Sequence, residues 1–272
     1  MSATPQLPPV ARLEQKTVSD LIAKGKRLDE RTPESYREIQ IQTGIIEKAN
    51  GSAQVYLGKS RILAGIKIET GEPFPDTPDE GVLTVNCELV PLASPSFEAG
   101  PPSEAAIELS RVVDRGIRES KAVDMKSLVI QKGKKVQVVY VDIYVLDHDG
   151  NLIDAAAMAA LAALVTSKVA KMEVKGDEVI MKGGQHQLPL NNYPVAVTFA
   201  KIDKNIIVDP SLQEEQVMNA RLTVTIDKNG DICAMQKGGL NGFTPDEVRK
   251  VVQMAVGKAA ENRAKIMAAA KG

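Results

Sequence analysis

The sequence predicts an α+β fold made of two similar halves, each a mixed sheet with helices packed on it. Three observations predict it. Period-two apolar segments joined by turn dipeptides begin at Tyr36, helical segments with recognisable caps separate the strand groups, and the same theme returns after about residue 172. The duplication is read from the order of elements, because no residue-level repeat is strong enough to prove it.

Residues 1–15, MSATPQLPPVARLEQ, carry prolines without periodicity and read as a flexible tail. The first half is placed at residues 16–171 and opens with a short helix, TVSDLIAKGKR. The stretch YREIQIQTGIIEKANGSAQVYLGKSRILAGIKIET then reads as a three-stranded meander, with turns at Asn50-Gly51 and Gly58-Lys59. FPDTPDEG is a loop and VLTVNCELVPLA a further strand. Pro101-Pro102 ends it, and Ser103 with Glu104 starts a helix that runs to about Val123. SLVI, the basic turn QKGKK and VQVVYVDIYVLDHDGN supply two more strands ending at an Asp-Gly turn. IDAAAMAALAALVTSKV is apolar all round and reads as a buried helix. The second half, residues 172–272, has strands at YPVAVTFAKI, NIIVD, RLTVTID and ICAMQKG, with a hairpin turn at Asn229-Gly230. Its last helix carries Thr244 as cap, Pro245 in the first position and Glu247 to complete a capping box. Positions 248, 251, 252, 255 and 259 form its core stripe.

The 272 residues suffice for one large or two small cores. Lys plus Arg (34) nearly balances Asp plus Glu (35), so anion binding has to come from local placement of charge, not from a global field. No tryptophan, five tyrosines and four phenylalanines make a poor set of base-stacking platforms, and any nucleic-acid contact is expected at phosphates. The apolar run LIDAAAMAALAALV is too short for a membrane span and contains an aspartate. Cys87 and Cys233 are expected to be free and buried in a reducing, cytoplasmic setting.

In ELSRVVDRGIRES the arginines Arg111, Arg115 and Arg118 fall within roughly 60° of one another on a helical wheel. They lie opposite a core face of Ala106, Leu109, Val113, Gly116 and Ile117. A solvated face paired with Glu108, Asp114 and Glu119 is the plainer reading. A row that grips phosphates is the sharper one, favoured by arginine in all three places, since a planar fork holds an oxyanion at two points. His148 reads as a turn residue and His186 as part of a polar loop, so no metal-ligand set forms. Lys132 to Lys135 read as a solvated hairpin, and GKRLDER as a segment for packing against a partner subunit.

The motifs RLDER at Arg27–Arg31, ANGSAQVYLG, EPFPDTPDEG, LVPLASPSFEAGPPSE, ELSRVVDRGIRESKAVD and VDPSLQEE occur in this order. Together they resemble the RNase PH-like subunits of the exosome, above all the non-catalytic member of the archaeal pair, over nearly everything from about residue 20 onward. The resemblance implies the RNase PH-like fold, α+β with two βαβ-type halves, and a ring of three heterodimers with a catalytic RNase PH-like subunit. It also implies RNA-binding cap subunits and single-stranded RNA threaded through a central channel, where the partner cleaves it with inorganic phosphate. By position it implies that Arg111 and Arg115 touch the RNA backbone, with Arg118 a further candidate.

Against the active members' pattern, this chain is altered. Ile153 stands where the resemblance places a phosphate-holding arginine, and an aliphatic side chain neither donates a hydrogen bond nor balances charge. Asp209 matches the first of two aspartates, Glu215 replaces the second, and IKIETGEPFPDTPDEG is net acidic where active subunits are basic. Asp209 alone also suits a turn before proline. The expectation is therefore no catalytic residue, no cofactor and no metal, and no positive group at the anion position. The chain would be a subunit that shapes its partner's active site and holds RNA. The rivals are an active phosphate-dependent 3′-5′ exoribonuclease and a scaffold with no RNA contact.

Overall fold

Strand alternation and a few glycines decide how two sheets come to share one helix. The computed structural model describes residues 10–175 and 178–271. Helix α1 (Val10–Ala23) is followed by strands β1 (Ile39–Thr43), β2 (Gly51–Leu57), β3 (Ser60–Gly71) and β4 (Val82–Leu89), then helix α2 (Glu104–Glu119). A 3-10 turn (Met125–Leu128), β5 (Val129–Gln131), β6 (Lys135–Asp147) and helix α3 (Leu152–Val165) come next, followed by β7 (Lys168–Lys175) and β8 (Glu178–Gln187). Strands β9 (Val195–Ile202) and β10 (Asn205–Val208), helix α4 (Leu212–Val217), β11 (Ala220–Ile226), β12 (Ile232–Gly238) and helix α5 (Pro245–Ala269) complete the chain.

The first sheet has the order β1-β2-β3-β6-β4, with β5 paired to β6. Its neighbours are antiparallel except β4 and β6, which run parallel because the chain crosses over through α2 between them. The second sheet, β10-β9-β11-β12, is antiparallel throughout. In it β10 and β11 both run against β9, which lies between them, so β10-α4-β11 is a split β-α-β unit. The ribbon β7-β8 stands apart from both sheets.

Alanine makes α3 the hub. Its residues from Ile153 to Leu164, apart from Ala157, are buried, and it packs on β2 and β3 of one sheet, on β9 of the other, and on α2 and α5. Small side chains allow this crowding, and Gly51 shows how close it is: a Cβ there would lie 2.3 Å from Ser167 Oγ and 2.4 Å from the Ala163 carbonyl. Helix α2 touches β4 and β12, the edge strands of the two sheets, and its predicted face of Ala106, Leu109, Val113, Gly116 and Ile117 is buried. Val18 and Ile22 of α1 pack with Ile202, Ile207 and Val217 in a separate small cluster.

Several local expectations change. Helix α1 begins at Val10, inside the stretch read as a tail, while residues 1–9 lie outside the described ones. Helix α2 ends at Glu119, where Ser120 caps it and Lys121 takes a positive φ of 52°. Strand β7 runs across residues 171–172, pairing with β8 through a register shift between Ala170 and Met172. His186 lies on β8, not in a loop. Cys87 is buried but Cys233 only half-buried, its thiol donating to the Thr225 carbonyl at 3.3 Å, and both are free. Among the described residues no helix is long and apolar enough to cross a membrane.

Candidate functional site

Asp209 sits at the end of β10 with φ of +51°, a conformation open to short polar side chains, and is fully buried. Five donors converge on its carboxylate. They are Arg37 Nε (3.0 Å), Nη2 (2.8 Å) and backbone N (2.8 Å), Arg31 Nη1 (2.9 Å), and Asn151 Nδ2 (2.7 Å). Burial alone would raise its pKa, but the hydrogen bonds and charge of Arg37 hold it below the usual carboxylate range. A carboxylate with every lone-pair direction occupied has nothing left for a proton transfer or a metal ion.

Arg27 is locked in the same way. Its Nε donates to Glu214 Oε1 at 2.7 Å, its Nη2 pairs with Glu214 Oε2, and it also donates to the Val208 and Asp209 carbonyls at 2.8 Å each. The RLDER segment therefore staples its own chain's 208–214 stretch. Ser211 and Glu214 form a capping box that fixes the start of α4. The spacing S-L-Q-E was the sequence signal for this short helix, which the strand-and-turn reading passed over.

A cavity of about 180 Å³ opens beside the α3 N terminus, with Phe97, Glu108, His148, Asn151, Glu215 and Arg221 in its wall, and Ile153 and Thr198 behind them. Ile153 is buried and contributes no polar atom. Asn151, at φ +47°, caps α3, and its backbone N donates to Glu215 Oε1 at 2.9 Å. Burial pushes the Glu215 carboxyl from its ordinary 4.5 up to about 7. Arg221 Nη2 donates to Glu108 Oε1 at 2.7 Å, while its Nε is buried with no partner. The expectation of no positive group here is thus corrected: Arg221 is present, brought from β11, although its charge already faces Glu108 and Glu215. No sequence pattern near Arg221 pointed to it, since its partners lie on other elements.

His148 stacks on Phe97 with ring centroids 5.3 Å apart, and its Nδ1 accepts from the Gly150 N at 3.3 Å. Burial lowers its pKa. Beneath the cavity, Asp154 accepts from Tyr36 Oη (2.6 Å), Asn151 Nδ2 (2.9 Å), Thr198 N (3.0 Å) and Thr198 Oγ1 (2.7 Å). Burial raises its pKa to about 6. Gly150 makes the two loops meet: at φ +84° a Cβ there would fall 2.4 Å from both Leu212 N and Ser211 C. Asp209, Glu215 and Asn151 are therefore brought together by backbone against backbone.

The three arginines of α2 divide. Arg111 is exposed and has no hydrogen-bond or ion-pair partner among the described residues. Arg115 leans on the neighbouring edge strand, donating to Gln236 Oε1 at 2.8 Å and to the Met235 carbonyl at 3.5 Å, both neutral groups. Arg118 is held by Asp114 through Nη2 (2.7 Å) and Nε (3.2 Å) and by the Leu83 carbonyl at 3.0 Å. So the plainer reading, an ion-paired face, describes Arg118. Arg111 and Arg115 keep an uncompensated charge, because Glu108 is taken by Arg221. Lys132, in the turn after β5, is 3.7 Å from Asp79 and well exposed, as a solvated hairpin would be. Among the described residues no group of three or more His, Cys, Asp or Glu side chains is arranged to hold a metal ion.

Models of the 3′ exoribonuclease (RNase PH) family match this chain at residues 35–170 with domain 1 and at residues 192–258 with domain 2. The exosome complex component Rrp42 of Thermococcus gammatolerans is 54% identical over 265 residues, 97% of either chain. That of Methanopyrus kandleri is 48% identical over 260 residues, covering 95% of this chain and 97% of its own. A chain of the Archaeoglobus fulgidus exosome, solved with RNA bound to the active site, superposes with a TM-score of 0.88 at 42% identity, covering 95% of this chain and 99% of that one. A chain of an archaeal exosome core gives 0.84 at 40% identity, with 95% and 98% covered. Rice Rrp46, at 16% identity and a TM-score of 0.69, shares the fold. On two matched domains and relatives identical at half of all positions, the chain belongs to the RNase PH family of 3′ exoribonucleases.

Proposed function

We propose that this chain is a non-catalytic subunit of an RNA-degrading exosome ring, where it alternates with a catalytic RNase PH-like subunit in three heterodimers. It completes the partner's phosphorolytic 3′-5′ exoribonuclease site and grips the RNA backbone through Arg111 and Arg115. It works in the cytoplasm under RNA-binding cap subunits.

The observation that carries this reading is the state of the pocket beside α3. Phosphorolysis needs a cationic or amide cradle that is free to hold the attacking phosphate, and acidic groups free to act. Here the amide of Asn151 is occupied by Glu215, Arg221 by Glu108, and Asp209 by Arg31, Arg37 and Asn151. The relatives' description as exosome components supplies the setting.

On α2 a different logic holds. Two guanidinium groups, one turn apart and without acidic partners, suit the spacing and charge of a phosphate chain and carry no base preference. Arg115 is pre-positioned by Gln236, so little rotamer freedom remains to be lost on binding. Arg118, neutralised by Asp114, stays at the margin.

Replacing Arg111 and Arg115 by alanine in the assembled complex tests the RNA role. The expected result is weaker binding of single-stranded RNA of any sequence, with the slope of log affinity against log salt shallower by roughly 0.7 per arginine. Arg118→Ala should change both less. Unchanged affinity and slope in the double variant would leave a scaffold without RNA contact as the better reading.

A further inference from the structure

Two acids lie within one helical turn of Arg111 on α2, Glu108 three residues before it and Asp114 three after, and either could neutralise it. Neither does. Each is taken by another arginine, Asp114 by Arg118 at 2.7 Å and Glu108 by Arg221 at 2.7 Å. The first is an ordinary pair along one helix, whereas the second crosses from β11 of the other sheet and has to be built. A Cβ on Gly116 would lie 3.3 Å from Thr225 Cγ2, so α2 runs close over β11. On β12, Gly238 faces Arg221 across the ladder, and a Cβ there would come 3.1 Å from Arg221 Nη2, so the bare glycine leaves the guanidinium room to reach α2. Gln236, also on β12, joins the same carboxylate to the arginine row. Its Nε2 donates to Glu108 Oε1 at 3.4 Å, and its Oε1 accepts from Arg115 Nη2 at 2.8 Å. With Glu108 on its amide side, Gln236 turns its carbonyl oxygen to Arg115.

We propose that Arg221 is a positioning residue for the RNA contact on α2. By holding Glu108 against the second sheet it keeps that carboxylate off Arg111, and through Gln236 it fixes the fork of Arg115. It acts through Glu108 and not on RNA. Without Arg221, Glu108 swings to Arg111, and a phosphate must then displace it. The Glu108 side chain is 42% exposed, so the competing pair is worth no more than a surface ion pair and the effect on binding is severalfold. The inference rests on the reading of Arg111 and Arg115 as the RNA grip and adds the residue that keeps their charge available.

Affinity for single-stranded RNA and its salt dependence, followed by fluorescence anisotropy on the assembled complex, test this in a double-mutant cycle. Arg221→Gln should weaken binding about two- to fivefold, the worth of one exposed ion pair, and make the slope of log affinity against log salt shallower. Glu108→Gln alone should change little, because Arg221 already holds that carboxylate, whereas in the Arg221→Gln background it should restore both affinity and slope. A loss that Glu108→Gln does not repair overturns the role, since a damaged fold stays damaged. An equal gain from Glu108→Gln in both backgrounds also overturns it, since the two charges would then act on RNA independently. If Arg221→Gln loses nothing while Arg111→Ala and Arg115→Ala bind weakly, the positioning role alone fails. If those alanine variants also lose nothing, the RNA contact fails and the role with it. Should Arg221→Gln not assemble, Arg221→Met, which keeps the packing of the stem, takes its place in the cycle, and failure of both makes Arg221 a strut of the fold and overturns the role.

Discussion

Arginine is used in two ways in this chain, and the acceptors decide which. Arg37 and Arg27 are buried and meet carboxylates fork to fork, Asp209 and Glu214, so they act as struts between the segment before β1 and, respectively, the loop after β10 and helix α4. Removing one partner of such a pair strands the other in a low dielectric. Arg37→Ala should therefore cost about 3–5 kcal/mol of stability in a denaturant titration, and a loss under 1 kcal/mol would contradict the strut. Among the described residues Arg111 meets no hydrogen-bond or ion-pair partner and Arg115 only neutral groups, which leaves their charge for a ligand. Glu215 offers a pH test at the same scale. Its folded pKa of about 7 is above its ordinary 4.5, so the folded state keeps a proton that the unfolded chain gives up. Its contribution is most favourable below about pH 4.5 and becomes steadily less favourable up to about pH 7. Glu215→Gln should then gain melting temperature relative to the parent as pH rises through that window, with the difference flat above it. A difference independent of pH would remove burial as the cause.

Helices show how local chemistry and tertiary packing share the work. The Thr244–Glu247 capping box starts α5 as its sequence dictates, with Thr244 Oγ1 accepting from the Glu247 N at 3.3 Å. Val251, Ala255 and Ala259 are buried, while Val248 and Val252 pack half-buried at the rim of the same core. In the middle of this helix Gly257 is exposed, and a Cβ there would meet nothing within 4 Å. Gly257→Ala should stabilise the isolated chain by about 0.5–1 kcal/mol in a denaturant titration, because alanine limits the unfolded ensemble at no steric cost. Destabilisation would mean that the space is not free. What was legible in the sequence follows the same division. Caps, turns at Gly58-Lys59 and Asn229-Gly230, the α2 core face and the α3 burial are written within a few residues of where they act. The Arg37–Asp209 pair, Arg221 beside Glu108 and Asn151 beside Glu215 join distant segments, so no spacing announces them. The ribbon β7-β8 was missed because KVAKMEVK and EVIMKGGQHQ lack the apolar alternation of a half-buried sheet.

For the whole molecule, two sheets clasp one alanine-rich helix, and the polar residues at that helix's N terminus link the halves. Asp154 of α3 bonds Thr198 of β9 and Tyr36 ahead of β1, and Asn151 bonds Asp209 after β10. The same junction that in an active enzyme of this kind would need open donors and acids is here consumed in holding the fold. On the function proposed above, the site's groups are structural and the chain lends Arg111 and Arg115 to a neighbour's chemistry. The most direct measurement incubates the purified chain alone, and then the chain assembled with the catalytic RNase PH-like subunit proposed as its partner, with single-stranded RNA and inorganic phosphate, and follows nucleoside diphosphates. The account predicts none above background from the chain alone and sustained release from the assembly; steady release by the chain alone would contradict it.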